Sequence, residues 1–300
     1  MDLRRATKVK SALTKGPLAA ALKAEPFLGY VEFYPTAAEA VAYKDTDDPT
    51  GGLQSRAKGA DYAGGDDDLN KTPGSSAVKL LGLPVAIDKL EMQTHMDIPA
   101  LKTSKMLSVA RNFGPKLAAK MHNGTGAGNE LPGFPELVDA GFDIALATNG
   151  LDLNTAANVN IFFRLLDQYI AEVNPQVITM NPLMWSFFQE KARERHALTW
   201  DKNEFGIPVS RYALVPIIPI RQAGITQTET QGTSEDCTSI YMLRFAELDD
   251  VCFHTTVGLD VTDIQMLDNE VIKKGNMELY GIPVRYKKDS IVRLKGARFV

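Results

Sequence analysis

The sequence predicts an α+β fold whose strands are concentrated in the C-terminal third. Residues 153–173 (LNTAANVNIFFRLLDQYIAEV) repeat apolar side chains at three- and four-residue spacing, which predicts an amphipathic helix. After about residue 208, short runs rich in Val, Ile, Tyr and Phe alternate with polar turns, which is typical of strands. The chain has 300 residues and is 44% hydrophobic, enough to build a substantial core.

The first 24 residues are predicted to form a basic arm, with a short helix inside it as an open alternative. Residues 1–16 (MDLRRATKVKSALTKG) contain one acidic residue, Asp2, and the cations Arg4, Arg5, Lys8, Lys10 and Lys15. A mitochondrial presequence has a similar composition, but a flexible arm is the commoner meaning of such a start and is preferred. The whole chain has a net charge of -4, so contact with nucleic acid would need a local basic patch.

An aromatic and β-branched run at 27–34 (FLGYVEFY) predicts a strand. From about Asp45 to Ser76 the composition changes to Gly, Asp, Ser, Thr, Lys and Pro, with almost no apolar residue to bury. A long polar segment of this kind inside a compact domain indicates a functional or disordered loop. It is not expected to support a core.

This polar segment contains GGDDDLN, which has some features of a calcium loop. Asp66 and Asp68 match the first and third ligand positions of a helix-loop-helix calcium site. The sixth position is Lys71 instead of Gly, and the twelfth is Ala77 instead of Glu. Calcium binding by this chain alone is therefore not predicted.

Residues 78–92 predict a strand, and residues 94–122 predict a long helix with an apolar stripe. Gly114-Pro115 is expected to kink or interrupt this helix, because proline removes a backbone donor. The helix is expected to end at NGTGAGN, residues 123–129. These glycines follow a helix instead of opening one and include no lysine, so a phosphate loop is not predicted.

The most regular block is the helix at 153–173, a strand at QVITM and a helix at 182–196, which together predict an α/β unit. Asn174-Pro175 ends the first helix, and Asn181-Pro182 begins the second. The late strands are expected in VSRYALVPIIPI, TSIYMLRF, VCFHTTV, GNMELYGIPVRYK and SIVRLKGARFV. The prolines at 208, 216 and 219 are expected to restrict their neighbourhood to sheet edges or bulges.

No catalytic, cofactor-binding or metal-binding residue is predicted. The histidines lack a second ligand at zinc-like spacing and are expected at the surface or in packing; they are His95, His122, His196 and His254. Motifs of nucleophile elbows, zinc proteases and Cys-x-x-Cys sites do not occur, so the sequence does not argue for an enzyme.

Other chemistry-bearing residues have structural interpretations. Cys237 and Cys252 are expected to stay reduced. KARERH at 191–196 is expected to be a solvated helix face with internal ion pairs, and Asp249-Asp250 is expected to mark a turn. No apolar run approaches the roughly 20 residues of a membrane span, so a soluble compartment is expected.

The order of these parts resembles the major capsid proteins of tailed bacteriophages, which have the Hong Kong 97 fold. PGFPELVDAG resembles the opening of their axial domain, and NPQVITMNPLMWSFFQEKARE resembles that domain's strand and helix. EFGIPVSRYALVPIIPI and ELYGIPVRYKKDSIVRLKGARF are similar to a Val-Pro-Ile strand and to the closing peripheral strands. The likeness covers about Phe27 to Val300, although Ala213-Leu214 stands where many relatives have a glycine.

The resemblance implies an α+β fold of the Hong Kong 97 type, with an N-terminal arm, an extended β loop, a long spine helix in a peripheral domain, and an α/β axial domain. The implied boundaries are 1–26 for the arm, 27–90 for the extended loop and its flanking strands, 91–132 for the peripheral domain with the spine helix, 133–270 for the axial domain, and 271–300 for the closing peripheral-domain strands.

It also implies a structural protein, not an enzyme, which assembles through pentamers and hexamers into an icosahedral shell around a tailed-phage genome. The implied location is the virion, and the host cytoplasm during assembly. The implied partners are copies of the chain and double-stranded DNA at the inner surface, with scaffolding, portal and decoration proteins as further candidates. No cofactor and no membrane partner are implied.

By the same resemblance, the extended loop reaches over a neighbouring subunit. The carboxylates at its tip are predicted to meet basic residues of that neighbour, which would set register more than affinity. The interface residues predicted in this way are Asp66, Asp67, Asp68, Tyr62, Arg4, Arg5, Lys8 and Lys10. A solvated tip that contacts nothing remains an alternative.

Three other interpretations stay open. An encapsulin, a cellular compartment shell with the same fold, would usually begin with a helix that lines the interior. A soluble α/β enzyme that uses the glycine loop would be a small oligomer that binds nucleotide. A phage tail or accessory structural protein is the third.

Overall fold

The structure is a computed structural model that describes residues 12–37, 39–44, 73–94, 97–202, 206, 208–221, 223–262 and 272–299. Its helices are α1 Ala12–Ala24, α2 Lys89–Thr94, α3 Ile98–Asn123, α4 Phe134–Leu137, α5 Ala156–Val173 and α6 Pro182–Glu194. Its strands are β1 Phe33–Pro35, β2 Ala40–Lys44, β3 Pro73–Ala77, β4 Lys79–Asp88, β5 Asp143–Ala145, β6 Leu151–Asp152, β7 Val177–Met180, β8 Leu198–Lys202, β9 Pro208–Tyr212, β10 Val215–Pro219, β11 Glu229–Gln231, β12 Ser234–Leu243, β13 Val251–Val261, β14 Ile272–Arg285 and β15 Ile291–Arg298.

Most of these strands belong to two sheets. The four-stranded sheet has the order β1-β13-β14-β4, with β1 parallel to β13 and the other pairs antiparallel. The nine-stranded sheet follows the path β5-β15-β12-β7-β10-β9-β8, with β11 on β12 and β6 on β15. β2 and β3 form a separate antiparallel pair. The predicted α+β class, with late strands, is confirmed.

The predicted helix, strand and helix of the middle block are confirmed. α5 buries its apolar stripe, including Phe162, Phe163 and Leu166. All four residues of β7 are buried, and this strand lies between β12 and β10. α6 begins where Asn181 caps it, with the side-chain oxygen accepting from the Leu183 N–H at 2.8 Å. Local signals determine this block.

The C-terminal half of the predicted basic arm is a helix packed into the core. α1 lies against α3, and Leu18, Ala21 and Leu22 are buried. The two helices are in close contact at Gly114, where an added Cβ would stand 2.4 Å from the Ala21 carbonyl oxygen. The short helix that the sequence leaves open is therefore present at residues 12–24, but its buried apolar side chains differ from the expected flexible arm.

The long helix α3 runs without a break past Pro115, so of the expected kink or interruption, the interruption is wrong. Gly114 precedes this proline, and its sequence signal was interpreted only as a helix breaker. In the structure, Gly114 has a packing role instead, since it leaves the space that α1 occupies. The helix ends as predicted at Gly124, whose N–H donates to the Lys120 carbonyl at 2.9 Å.

The predicted strand at 27–34 is correct only at its end. A 3-10 turn at Pro26–Gly29 comes first, and β1 begins at Phe33. The turn drives the ring of Phe27 into an aromatic group with Phe134 and Phe245, at centroid distances of 6.2 and 6.0 Å. Burial of these rings therefore outweighs the local strand preference.

β10 is an interior strand, so the expectation that its prolines confine it to an edge is wrong. Pairing between β10 and β7 begins at Ile217. The nitrogen of Pro216, which points toward β7, therefore lies outside the paired part and is not required to donate a hydrogen bond. The nitrogen of Pro219 points the other way, toward β9, where pairing ends at Ile217. The next N–H toward β7 belongs to Ile220 and donates to the Met180 oxygen at 2.9 Å. Neither proline interrupts the ladder.

The sheets divide the late chain differently from the domain boundaries that the resemblance implied. β13 lies inside the predicted axial segment 133–270, but it pairs with β14 in the four-stranded sheet. β15 lies inside the predicted closing segment 271–300, but it pairs with β12 in the nine-stranded sheet. The chain therefore crosses between the two sheets after β12 and again after β14.

Candidate subunit-contact surfaces

The predicted interface residues fall outside the described residues: Asp66, Asp67, Asp68, Tyr62, Arg4, Arg5, Lys8 and Lys10. The base of the extended loop, which carries the first four of these residues, is described. β2 pairs with β3 from Ala40 opposite Ala77 to Lys44 opposite Pro73, so the chain leaves and returns as a two-stranded hairpin. Val41 is buried with Cys252 and Ile282, which anchors the hairpin base on the four-stranded sheet.

Exposed apolar side chains lie on several elements of the four-stranded sheet region, one near the hairpin base and the others toward the opposite ends of β4 and β14. Leu80 in β4 is 56% exposed, and Leu90 in α2 is 67% exposed. Ile98 at the start of α3 and Ile272 at the start of β14 are also exposed. A surface with several large apolar residues on adjoining elements is typical of a contact with another chain.

A second candidate contact lies at one end of the nine-stranded sheet. Ala213 and Leu214 form the two-residue turn between β9 and β10, and both have positive φ, 48° and 69°. Hairpin turns of this type normally use Asn or Gly, so two ordinary side chains here are strained. Leu214 is also 79% exposed. The adjoining edge strand β8 exposes Trp200.

The buried histidine His122 connects the helix α3 to the nine-stranded sheet. Its Nδ1 lies 2.8 Å from the Ala118 carbonyl and its Nε2 lies 2.9 Å from the Thr179 hydroxyl on β7. Burial lowers the pKa of His122 to about 4, so the ring is neutral at pH 7. It packs edge-on against Phe27 and Phe134. This is a packing histidine, as predicted.

The other predicted roles of isolated residues are confirmed where the structure describes them. His254 is buried beside the Tyr286 hydroxyl at 2.8 Å, and His196 is exposed at the surface. Lys191 pairs with Glu190 and Glu194 on the exposed face of α6. Asp249-Asp250 follows a turn, and Cys237 and Cys252 are buried free thiols. His95 lies outside the described residues.

The glycine loop after α3 is filled by its own side chains. The Glu130 carboxylate accepts from the Lys120 ammonium and from the hydroxyl and N–H of Thr125. The bond from Lys120, followed by those from Thr125, lowers the pKa of Glu130 to about 2. Glu130 therefore holds this loop by bonds within the loop and to the end of α3; the absence of a phosphate loop stays a prediction.

A buried carboxyl that sequence reasoning missed lies at the end of α1. Glu25 is 1% exposed, and one of its oxygens has no partner within the described residues. It lines a cavity of about 160 Å³ together with Trp185, Ser210 and Arg221. Burial raises the pKa of Glu25 to about 7, against smaller lowering effects of the Phe27 N–H and Arg221. Nothing in the local sequence indicates this burial, which depends on residues far along the chain.

Arg244 forms several hydrogen bonds at the point where the chain crosses between the two sheets. Its guanidinium donates to Asp250 at 2.7 Å, to Asp289 at 3.0 Å and to the Val173 carbonyl at 2.7 Å. Asp250 is buried, so this carboxylate depends on Arg244 for its charge partner. The contacts join the end of α5, the start of β13 and the turn before β15.

The described residues contain neither a metal-binding cluster nor a helix that could span a membrane. No group of three or more His, Cys, Asp or Glu side chains among them is arranged to hold a metal ion. None of the described helices combines the length and apolar character needed to cross a membrane.

Comparison with solved structures shows the same arrangement in proteins that form shells. The chain matches the SrpI encapsulin of Synechococcus elongatus PCC 7942 with a TM-score of 0.66 and 12% identity, over 98% of this chain and 94% of that one. It matches the capsid of a native GTA particle with a TM-score of 0.60 and 13% identity, over 97% and 93%. It matches the procapsid of satellite phage P4 with a TM-score of 0.54 and 9% identity, over 98% and 93%.

These matches place the chain in the structural class shared by capsid and encapsulin shells. Its fold is the Hong Kong 97 capsid fold, as the sequence predicted. No protein-family model and no curated protein matches the sequence. At these identities the likeness establishes the fold alone.

Proposed function

We propose that this chain is the major capsid protein of a tailed bacteriophage. It would assemble through pentamers and hexamers into an icosahedral shell around the phage genome. The observation that carries the proposal is the fold itself, which matches a GTA capsid and a P4 procapsid over more than nine-tenths of the chain. The role is structural and not catalytic, its place is the virion, and assembly takes place in the host cytoplasm.

The hairpin of β2 and β3 is the contact proposed for such assembly. β2 and β3 leave the four-stranded sheet together, and Leu80 is exposed near their base. A hairpin that reaches a neighbour's surface is a heterologous contact, and such contacts close into rings when the rotation is right. Many modest contacts of this kind per subunit give a shell high collective stability.

Light scattering combined with negative-stain electron microscopy tests the proposal on the full chain expressed alone. Closed shells, or discrete pentamers and hexamers, are the expected result. A monodisperse monomer or dimer that persists at high concentration and varied salt would overturn it, and would favour a soluble enzyme or an accessory protein.

We also propose that the carboxylates of the loop tip, Asp66, Asp67 and Asp68, meet cations of a neighbouring subunit. Tyr62 would lie in the same contact, and the arm cations Arg4, Arg5, Lys8 and Lys10 would face a neighbour or the genome. Replacing the three aspartates with Asn is expected to weaken assembly in a salt-dependent way. Assembly that is unchanged at every salt concentration would contradict this contact.

An encapsulin shell is the second candidate, and α1 favours it. α1 is a packed helix near the N-terminus, and the chain matches the SrpI encapsulin over 98% of its length. Neighbouring genes distinguish the two functions. Portal and tail genes would support the capsid, while a gene for a cargo enzyme beside this one would support the encapsulin. Scaffolding, portal and decoration proteins are partners only in the first case.

A further inference from the structure

Among the described residues, the lining of a cleft between α1 and α3 includes three cations and no acidic side chain. Its volume is about 610 Å³, and its polar lining residues are Lys23, Arg111, Asn112 and Arg221. The rest of the lining consists of three alanines and Pro115. We call this surface the α1–α3 cleft. It exists because Gly114 lets α1 lie against α3, which brings Lys23 and Arg111 to the same rim.

The three cations of the α1–α3 cleft are available to a ligand. Lys23, Arg111 and Arg221 are all exposed, and none of them forms an ion pair with another described residue. The carboxyl that acts on Arg221 is Glu25, whose pKa is raised to about 7 by burial. Glu25 is therefore only partly charged at neutral pH and offsets little of the positive potential.

The charge of this face stands out against the composition of the chain. The protein carries a net charge of -4, yet α1 and α3 contain no Asp or Glu. α3 has five lysines and arginines, of which Lys105 and Lys120 pair with carboxylates of other elements. Arg111 is not neutralised in this way. A local basic face on an acidic protein is the pattern expected for binding a polyanion.

We infer that the α1–α3 cleft binds the phosphodiester backbone of double-stranded DNA, with Lys23, Arg111 and Arg221 each contacting phosphate. This rests on the proposed capsid function, which supplies duplex DNA as the polyanion. Guanidinium groups bind phosphate through paired hydrogen bonds, and the cleft contains two such groups, those of Arg111 and Arg221. The described lining of the cleft offers no aromatic side chain on which the bases of a single strand could stack, which favours the duplex.

The test is the binding of the full chain to a fluorescent 30-base-pair duplex, measured by anisotropy between 50 and 200 mM salt. The variant carries Lys23→Gln, Arg111→Gln and Arg221→Gln. The matched control carries Arg164→Gln, Arg193→Gln and Lys202→Gln, which removes three exposed cations from α5, α6 and β8. Loss of three duplex phosphate contacts is expected to lower the salt slope by about 2.7, equal to about 40-fold in affinity across this salt range.

The expected result is a weaker affinity with a salt slope about 2.7 smaller for the cleft variant, and an unchanged slope for the control. Equal losses in both variants would overturn the inference, since they would show general charge attraction. Competition by poly-glutamate as effective as competition by duplex DNA would also overturn it, in favour of an acidic peptide. Asn112→Lys adds a cation to the same lining, and a steeper salt slope is expected.

Two further measurements separate this inference from the proposed function. Circular dichroism of the cleft variant is expected to match the parent, because all three side chains are exposed. Electron microscopy of the variant is expected to show normal assembly. A chain that forms no shells but binds DNA through the cleft would refute the capsid function alone. Normal shells with cleft-independent DNA binding would refute the inference alone.

Discussion

The region around the nine-stranded sheet and the region around the four-stranded sheet bury their apolar residues by different routes. In the first, α5, β7 and α6 follow one another within residues 156–194 and pack against the same sheet. In the second, β1 near the N-terminus pairs with β13 more than 200 residues later, and α1 packs on α3. The first region is determined mainly by local sequence, and the second by contacts between distant segments.

The largest expected effect comes from breaking the crossing between the two regions. Arg244→Met leaves the buried Asp250 carboxylate without its charge partner and frees the Val173 carbonyl. Removing one member of a buried pair costs about 3–5 kcal/mol, and the free energy of unfolding is expected to fall by that amount. Urea unfolding followed by circular dichroism measures it.

The neighbouring ion pair between Lys287 and Asp249 provides the control. Its atoms are 2.7 Å apart, but both side chains are more than a third exposed. Lys287→Met is therefore expected to cost less than about 1 kcal/mol. Equal losses in the two variants would show that Arg244 does not hold the crossing.

The pH dependence of stability sharpens the comparison, because Glu25 lies in the region built from distant segments. Its pKa is about 7 in the folded chain, against the ordinary value of 4.5 expected when the chain is unfolded, so the folded chain holds its proton more tightly. This difference in pKa stabilises the folded chain. The stabilisation is complete below pH 4.5 and is lost as pH rises to 7. Glu25→Gln is expected to raise the stability at pH 8 by up to about 3 kcal/mol, with little change near pH 4.5.

Urea unfolding at both pH values measures this difference, with Glu190→Gln as the control. Glu190 is an exposed carboxylate on α6, and its removal is expected to leave the pH profile unchanged. A Glu25→Gln profile parallel to that of the parent would mean that the buried carboxyl is charged when folded.

The two regions also differ in how well the sequence predicts them. The apolar spacing of α5, the run of β7 and the Asn181 cap of α6 are local signals, and all three were correct. A short helix within the first 24 residues is an open alternative from the sequence, but the packing of α1 could not be predicted, because its burial depends on α3, roughly a hundred residues away. The interior position of β10 was missed because it depends on where the neighbouring strands stop pairing.

The candidate surfaces follow the same division. The glycine loop could be excluded as a phosphate site from its spacing alone, whereas Glu25 and Arg221 come together only in the fold. A usable signal for the α1–α3 cleft was present in the sequence, since residues 98–123 contain five cations and no carboxylate. The predicted contacts of Asp66, Asp67 and Asp68 stay predictions.

A glycine in the second region gives the next effect in size. Gly114→Ala places a methyl group 2.4 Å from the Ala21 carbonyl, so α1 must move away from α3. Overpacking of this kind costs about 1–3 kcal/mol. Gly29→Ala is the control, because a Cβ there meets nothing within 4 Å. Thermal unfolding is expected to show a lower midpoint for Gly114→Ala alone, and equal midpoints for both variants would contradict the close helix contact.

The smallest effect belongs to the first region and has the opposite sign. Replacing Ala213-Leu214 with Asn-Gly relieves two positive φ angles in the turn between β9 and β10. The free energy of unfolding is expected to rise by about 1–2 kcal/mol. Leu183→Gln removes an equally apolar exposed side chain from α6 and is expected to change stability by less than about 0.5 kcal/mol. A similar gain in both variants would attribute the effect to apolar exposure and not to strain.

The central claim is that this fold builds a shell through the hairpin that leaves the four-stranded sheet. A cryo-electron microscopy reconstruction of particles formed by the full chain expressed alone tests it most directly. The expected map shows a closed icosahedral shell in which the hairpin continued from β2 and β3 lies on a neighbouring subunit. Particles in which this hairpin folds back on its own subunit, or a preparation of monomers that forms no particles, would contradict the claim.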